Sequence, residues 1–147
     1  MTEGKLIVTS PAFVHMEKIP EKYTCAGEDV NPELNISGIP AGTKFLVLIV
    51  EDPDAPNGTW NHWIVWNIPP RDKIKENTIP GVQGLNSAGT RNWHGPCPPS
   101  GTHRYYFKVY ALDTGLTLPP SAIKREVLSS MEGHVLAEGE LVGTFSK

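Results

Sequence analysis

Apolar residues in this chain fall into short dense runs set between proline, glycine and polar stretches. Phe45-Leu46-Val47-Leu48-Ile49-Val50 is unbroken and rich in β-branched types, and it reads as a buried strand. Two further runs are strand-like, and each is led by a histidine: His62 to Ile68 and His103 to Leu112. Along the second, Tyr105, Phe107, Val109 and Ala111 share one face, with His103 in register. Leu6 to Thr9 reads as a first strand, and Leu34 to Ser37 as a second, ended by Gly38 and Pro40. Glu140 to Phe145 reads as a closing strand. A helical period appears only after Pro119-Pro120. There Ser121 is the expected N-cap of a helix over 121–131, and Ile123, Val127 and Met131 recur at a spacing of four. Gly133 should end that helix, and a second short helix is expected around 134–138. Trp63, Trp66, Phe107 and Val109 are candidate core residues. The pattern predicts a mainly β protein, a sheet or sandwich with one helical segment packed on it, in a single domain over residues 1–147.

The breaks between runs carry the candidate chemistry. The strand at 45–50 leads into Asp52-Pro53-Asp54-Ala55-Pro56, whose prolines cannot continue inside a sheet. Two carboxylates are thereby delivered at the end of a stiff element. Residues 71–102 have weak periodicity and many glycines and prolines. A stretch this long in a small domain is usually functional, and it should contain a short strand or turn of its own. It ends in the loop Gly-Pro-Cys-Pro-Pro-Ser-Gly-Thr at 95–102, directly before His103.

The blocks DPDAP, NHWIVWNIP and GPCPPSGTHRYYFKVYALD, in this order and each at a strand junction, resemble the phosphatidylethanolamine-binding protein family in its compact bacterial and archaeal (YbhB/YbcL-like) branch. YTCAGEDVNPEL at 23–34 and MEGHVLAEGELVGTF at 131–145 resemble the same branch, so the resemblance spans nearly the whole chain. It implies an antiparallel β-sandwich with one or two short helices near the C-terminus. It also implies a small anion-binding pocket with Asp52, His62 and His103 as its polar core. Pro56, Trp60, Tyr105 and the Gly95–Pro99 loop, with Gly95, Pro96 and Pro98, match positions that line the pocket in relatives. Asp54 matches a second, structural carboxylate, suited to an Asx turn. Trp93-His94-Gly95 departs from the family's usual aromatic and two small residues, so His94 could crowd the rim or add a third cation. His15 and His134 read as ordinary surface or core histidines.

Residue chemistry fits such a pocket. Imidazoles donate one or two N–H groups near neutral pH, and backbone N–H groups of a glycine-containing turn add more. Asp52 could hold a histidine charged and in one tautomer, or could pair with the amine of a phosphoethanolamine-like ligand; the first is the general role expected. The reading is a non-enzymatic binder of small phosphorylated or carboxylated ligands, with no cofactor, that could act on a protein partner such as a kinase or serine protease. The alternatives are a serine protease inhibitor acting through a surface loop and a metal-dependent enzyme using Asp52, His62 and His103. Covalent catalysis by Ser100, Thr102 or Cys97 ranks below these, with no GxSxG elbow present.

Bulk properties narrow the field. The formal net charge is −3, with no Lys/Arg run, which argues against nucleic acid. No stretch approaches the roughly 20 apolar residues that span a bilayer, and no leader is evident, so a cytoplasmic location without membrane insertion is expected. A homodimer through an exposed sheet edge is conceivable. With Lys147 straight after the last expected strand, the resemblance leads one to expect no counterpart of the C-terminal helix that larger members carry near the pocket mouth. The two cysteines, Cys25 and Cys97, lie beside resemblance blocks but are expected to be reduced thiols. A pair would imply an oxidising compartment or an intracellular thermophile protein. Ala55-Pro56, in a tight strand-end turn, is expected in cis.

Overall fold

A computed structural model describes residues 4–147. Its strands are β1 (Gly4–Lys5), β2 (Ile7–Thr9), β3 (Leu34–Ser37), β4 (Phe45–Asp52), β5 (Trp60–Ile68), β6 (Lys73–Ile74), β7 (Val82–Gln83), β8 (Thr102–Leu112) and β9 (Val135–Ser146). The one α-helix among the described residues is α1 (Lys124–Met131). A six-stranded sheet has the order β1-β9-β8-β4-β5-β7, and a three-stranded sheet has the order β2-β3-β6. Every ladder is antiparallel except the short β1/β9 pair. Among the described residues no helix is long and apolar enough to cross a membrane.

The unbroken apolar run of β4 has a direct cause: the strand is covered on both faces. Leu46, Leu48 and Val50 enter the larger core with Trp63, Val65, Phe107 and Val109, against the smaller sheet. Val47 and Ile49 face the other way, into a second core with Ile64, Trp66 and the α1 residues Val127 and Met131. Alternation along β8 sends His103, Tyr105, Phe107, Val109 and Ala111 to the sandwich interior.

Several local expectations are corrected. The strand expected at 6–9 runs from Ile7 to Thr9, and Leu6 is where the chain passes from β1 in one sheet to β2 in the other. The helix begins at Lys124, not Ser121. Residues 119–122 form their own turn, with Ala122 N–H donating to the Pro119 carbonyl, while the Ala122 carbonyl accepts from Leu85 N–H. Ile123 occupies the cap position, and its N–H donates to Glu126 Oε1 at 2.9 Å. Residues 134–138 are not helical. Gly133, at φ +82, ends α1, and the chain then pairs with β8 from Val135 onward. An open sheet edge there overrides the helix preference of Leu136 and Ala137.

Cys25 and Cys97 form a disulfide, against the expectation of free thiols, with Cα atoms 5.5 Å apart. Two loops distant in sequence are stitched together around it. Cys25 N–H donates to the Pro96 carbonyl, Gly95 N–H to Asp29 Oδ1, and Trp93 Nε1 to the Tyr23 carbonyl. Closing a ring over a separation of 72 residues stabilises the fold by about 4 kcal/mol in the chain-entropy account.

Candidate functional site

The end of β4 is organised by Asp52. Its Oδ1 accepts the Asp54 N–H at 2.7 Å, so Asp52, not Asp54, is the Asx residue of this turn. Its Oδ2 accepts from His103 Nδ1 at 2.6 Å. Asp54 serves the neighbouring strand instead. It takes the Arg104 backbone N–H and Nε on Oδ2 and Nη2 on Oδ1, a two-pronged fork that holds its carboxyl down to about 2. The turn needs no cis proline: all described peptide bonds are trans, Gly58 adopts φ +108, and its N–H donates to the Ala55 carbonyl.

His62 reaches the same place through an irregularity in β5. Val50 opposes Trp63 and Glu51 opposes Asn61, which leaves His62 as an extra residue with no cross-strand partner. Simple alternation would send it to the helix side with Ile64 and Trp66. The bulge turns it to the side of Trp63, where its ring meets Tyr105 edge-on at a centroid distance of 5.3 Å. His62 Nδ1–H donates to the His94 carbonyl at 2.5 Å, and His94 N–H returns a bond to the His62 carbonyl. Burial pushes the His62 imidazole down to about 4, which keeps it neutral at physiological pH.

These groups line a cavity of about 230 Å³. Asp52, His62 and His103 are each less than a tenth exposed, yet all three open onto it. Pro56, Trp60, Pro98 and Tyr105 line it as the sequence reading expects. Gly95 and Pro96 do not. A Cβ on Gly95 would collide with Asp29 Oδ1 and the Tyr23 carbonyl, so this glycine is required by loop-on-loop packing behind the rim. The Pro96 carbonyl is engaged by Cys25 N–H in the same seam. Cys97 and Pro99, from the loop expected there, line the cavity as well, and Ala55 does so without having been singled out. His94 does so too, in line with the crowding considered for it, and its buried Nδ1 has no partner. Its loop is held by Asn86, whose Oδ1 accepts from the N–H groups of Ala88 and Thr90 and whose Nδ2 donates to the Asn92 carbonyl.

The Tyr105 hydroxyl is also buried without a partner. Burial, and then the carboxylates of Asp52 and Asp54, push its phenol above the ordinary range, so it remains a neutral donor. Other grooves are larger, about 700 Å³ beside Gly4–Leu6, about 800 Å³ along residues 68–80 and about 320 Å³ beside Ile123–Arg125, but none of the three gathers buried titratable side chains. Among the described residues no group of three His, Cys, Asp or Glu side chains is disposed to hold a metal ion. The Nδ1 atoms of His62 and His103 are tied to the His94 carbonyl and to Asp52, which leaves the Nε2 atoms as their free ring nitrogens.

The molecule is thus a compact two-layer β-sandwich with a small imidazole-lined cavity at one end of its larger core. The family model described as phosphatidylethanolamine-binding protein matches residues 9–146, and the chain belongs to that family. It is 48% identical over 144 residues to a UPF0098 protein of Methanothermobacter thermautotrophicus, covering 92% of this chain and 95% of that protein. Among solved structures it is similar to a phosphatidylethanolamine-binding protein homologue from Chlamydia trachomatis, with TM-score 0.94, 44% identity and 99% of each chain covered. It is also similar to E. coli YbcL, with TM-score 0.89 and 30% identity, covering 97% of this chain and 99% of that one.

Proposed function

We propose that this protein is a non-enzymatic receptor for a small oxyanion, a phosphate or carboxylate group of head-group size. One observation carries the reading. Two imidazoles from separate strands each have Nδ1 tied back into the protein, which leaves Nε2 free at one small cavity, and the Tyr105 ring, whose buried hydroxyl has no partner, packs against both. Positioned, partnerless polar atoms in a buried pocket are what a ligand satisfies. The apolar wall of Ala55, Pro56, Trp60 and Pro98 excludes water around the anion and strengthens each bond to it.

Asp52 supports the receptor as a positioning residue. Both of its oxygens are already engaged, by Asp54 N–H and by His103, so pairing with a ligand amine is the less favoured of its two expected roles. The inhibitor alternative is weaker, because the 95–99 segment is fastened against the 21–29 turn and its Gly95, Pro96 and Pro98 are buried. His62→Ala and His103→Ala should each abolish phosphate and phosphoethanolamine binding by isothermal calorimetry, while the melting transition persists. Binding retained in both folded variants would remove this reading.

A further inference from the structure

We infer that the cavity takes its anion together with one proton, and so prefers phosphate and phosphate monoesters, which carry an ionisable proton near neutral pH, over sulfates and sulfonates, which do not. The inference rests on the receptor reading above.

The hydrogen inventory of the two imidazoles carries it. His62 Nδ1 faces a carbonyl oxygen and His103 Nδ1 faces a carboxylate oxygen, and both of these accept. Each Nδ1 therefore bears the hydrogen, and in a neutral ring Nε2 is then a bare lone pair. Neither Nε2 has a protein partner, and neither is among the buried polar atoms that lack one, so both open to the cavity. An unprotonated Nε2 and a ligand oxygen are two acceptors, and a hydrogen must lie between them for a bond to form.

The surrounding charges leave no other means of neutralising an anion. No lysine or arginine lines the cavity, and the one acidic side chain there is Asp52. His62 is faced by Asp52 from β4, by Asp29 and His94 from the flanking loops, and by Tyr105 from β8. His103 is faced by Asp52 and by Asp54, whose own cation, Arg104, is forked onto it outside the cavity. Burial keeps His62 neutral in the empty protein down to about pH 4.

The proton can arrive in two ways with the same balance. A P–OH group donates to a bare Nε2, or an imidazolium that has taken a proton from solvent donates to a ligand oxygen. Either complex holds one proton more than the free protein plus the fully ionised ligand. A phosphate monoester has its second pKa near 6, so at neutral pH a useful fraction already carries that proton. Sulfate must draw it from solvent.

Calorimetric titrations with inorganic phosphate and with sulfate, from pH 5.5 to 8.5 in buffers of different ionisation enthalpy, test this. The expected result is uptake of about one proton per sulfate and a sulfate affinity that falls about tenfold per pH unit, with phosphate preferred at least tenfold at pH 7. In saturating sulfate the NMR titration midpoint of His62 or His103 should rise by more than about one pH unit. Sulfate binding that is independent of pH, without proton uptake and with neither midpoint moved, overturns this inference alone. Failure of both anions to bind at any pH overturns the receptor reading and the inference with it.

Discussion

Glu51 and Asp52 are consecutive on β4, and they meet opposite fates. Glu51 faces the helix side, where Lys124 Nζ approaches at 2.5 Å and Lys108 Nζ at 3.1 Å. Burial opposes its ionisation, but the two ammonium groups more than offset this and hold the carboxyl below its usual range. Asp52 faces the sandwich interior and meets an imidazole and one backbone N–H. Permanent cations saturate a carboxylate at any ordinary pH, and the result is a clamp between helix and sheet. An imidazole relays the influence of its carboxylate, because the nitrogen not facing Asp52 remains available. One residue of displacement along a strand thus separates a structural ion cluster from the imidazole-lined cavity.

The comparison can be broken most strongly by acid. Only the cavity side holds a buried neutral histidine. His62 binds its proton near pH 4 in the folded chain and near 6.5 when unfolded, so the unfolded state holds more protons between those values. Stability is complete above about pH 6.5 and falls as pH drops through about 4, by about 3 kcal/mol at most. Urea melts across pH 4 to 7 should show this loss, and His62→Gln should flatten it; an unchanged slope in that variant would assign the acid sensitivity elsewhere.

Paired substitutions sharpen the contrast further. Asp52→Asn should weaken phosphate binding by about 10- to 100-fold, the usual range for losing a partner that orients a ligating histidine. Glu51→Gln should leave phosphate affinity unchanged and lower stability by about 1–2 kcal/mol, since it leaves two ammonium groups short of a charged acceptor. Calorimetry and denaturant melts on both variants read the two effects separately, and equal loss of affinity in both would erase the distinction. Asp54→Asn should do least. Its fork with Arg104 lies near the surface, and the melting temperature should fall by no more than about 2 °C.

The strands around the site were legible because burial leaves a direct trace in residue type. The run at 45–50 is apolar throughout since both faces are covered, and the His103–Ala111 row alternates since one face is. What was not legible depends on the register between segments. The direction of His62 is set by a bulge visible only against β4. His94 lies in a loop without periodicity, and its role comes from a carbonyl bond to a residue 32 positions away. The disulfide requires the 21–29 turn to meet the 93–99 loop, which no local pattern encodes. The only sequence sign of His94's position was its departure from the expected small residue after the aromatic.

The covalent link from Cys25 to Cys97 has a consequence for how a guest enters. Cys97 forms part of the chamber's own wall, and its anchor lies on a separate stretch of chain. That side of the chamber cannot swing outward like a door, so it is already set in place for a guest of the proposed kind. On the receptor reading, a wall fixed in advance loses little conformational freedom when a ligand settles against it.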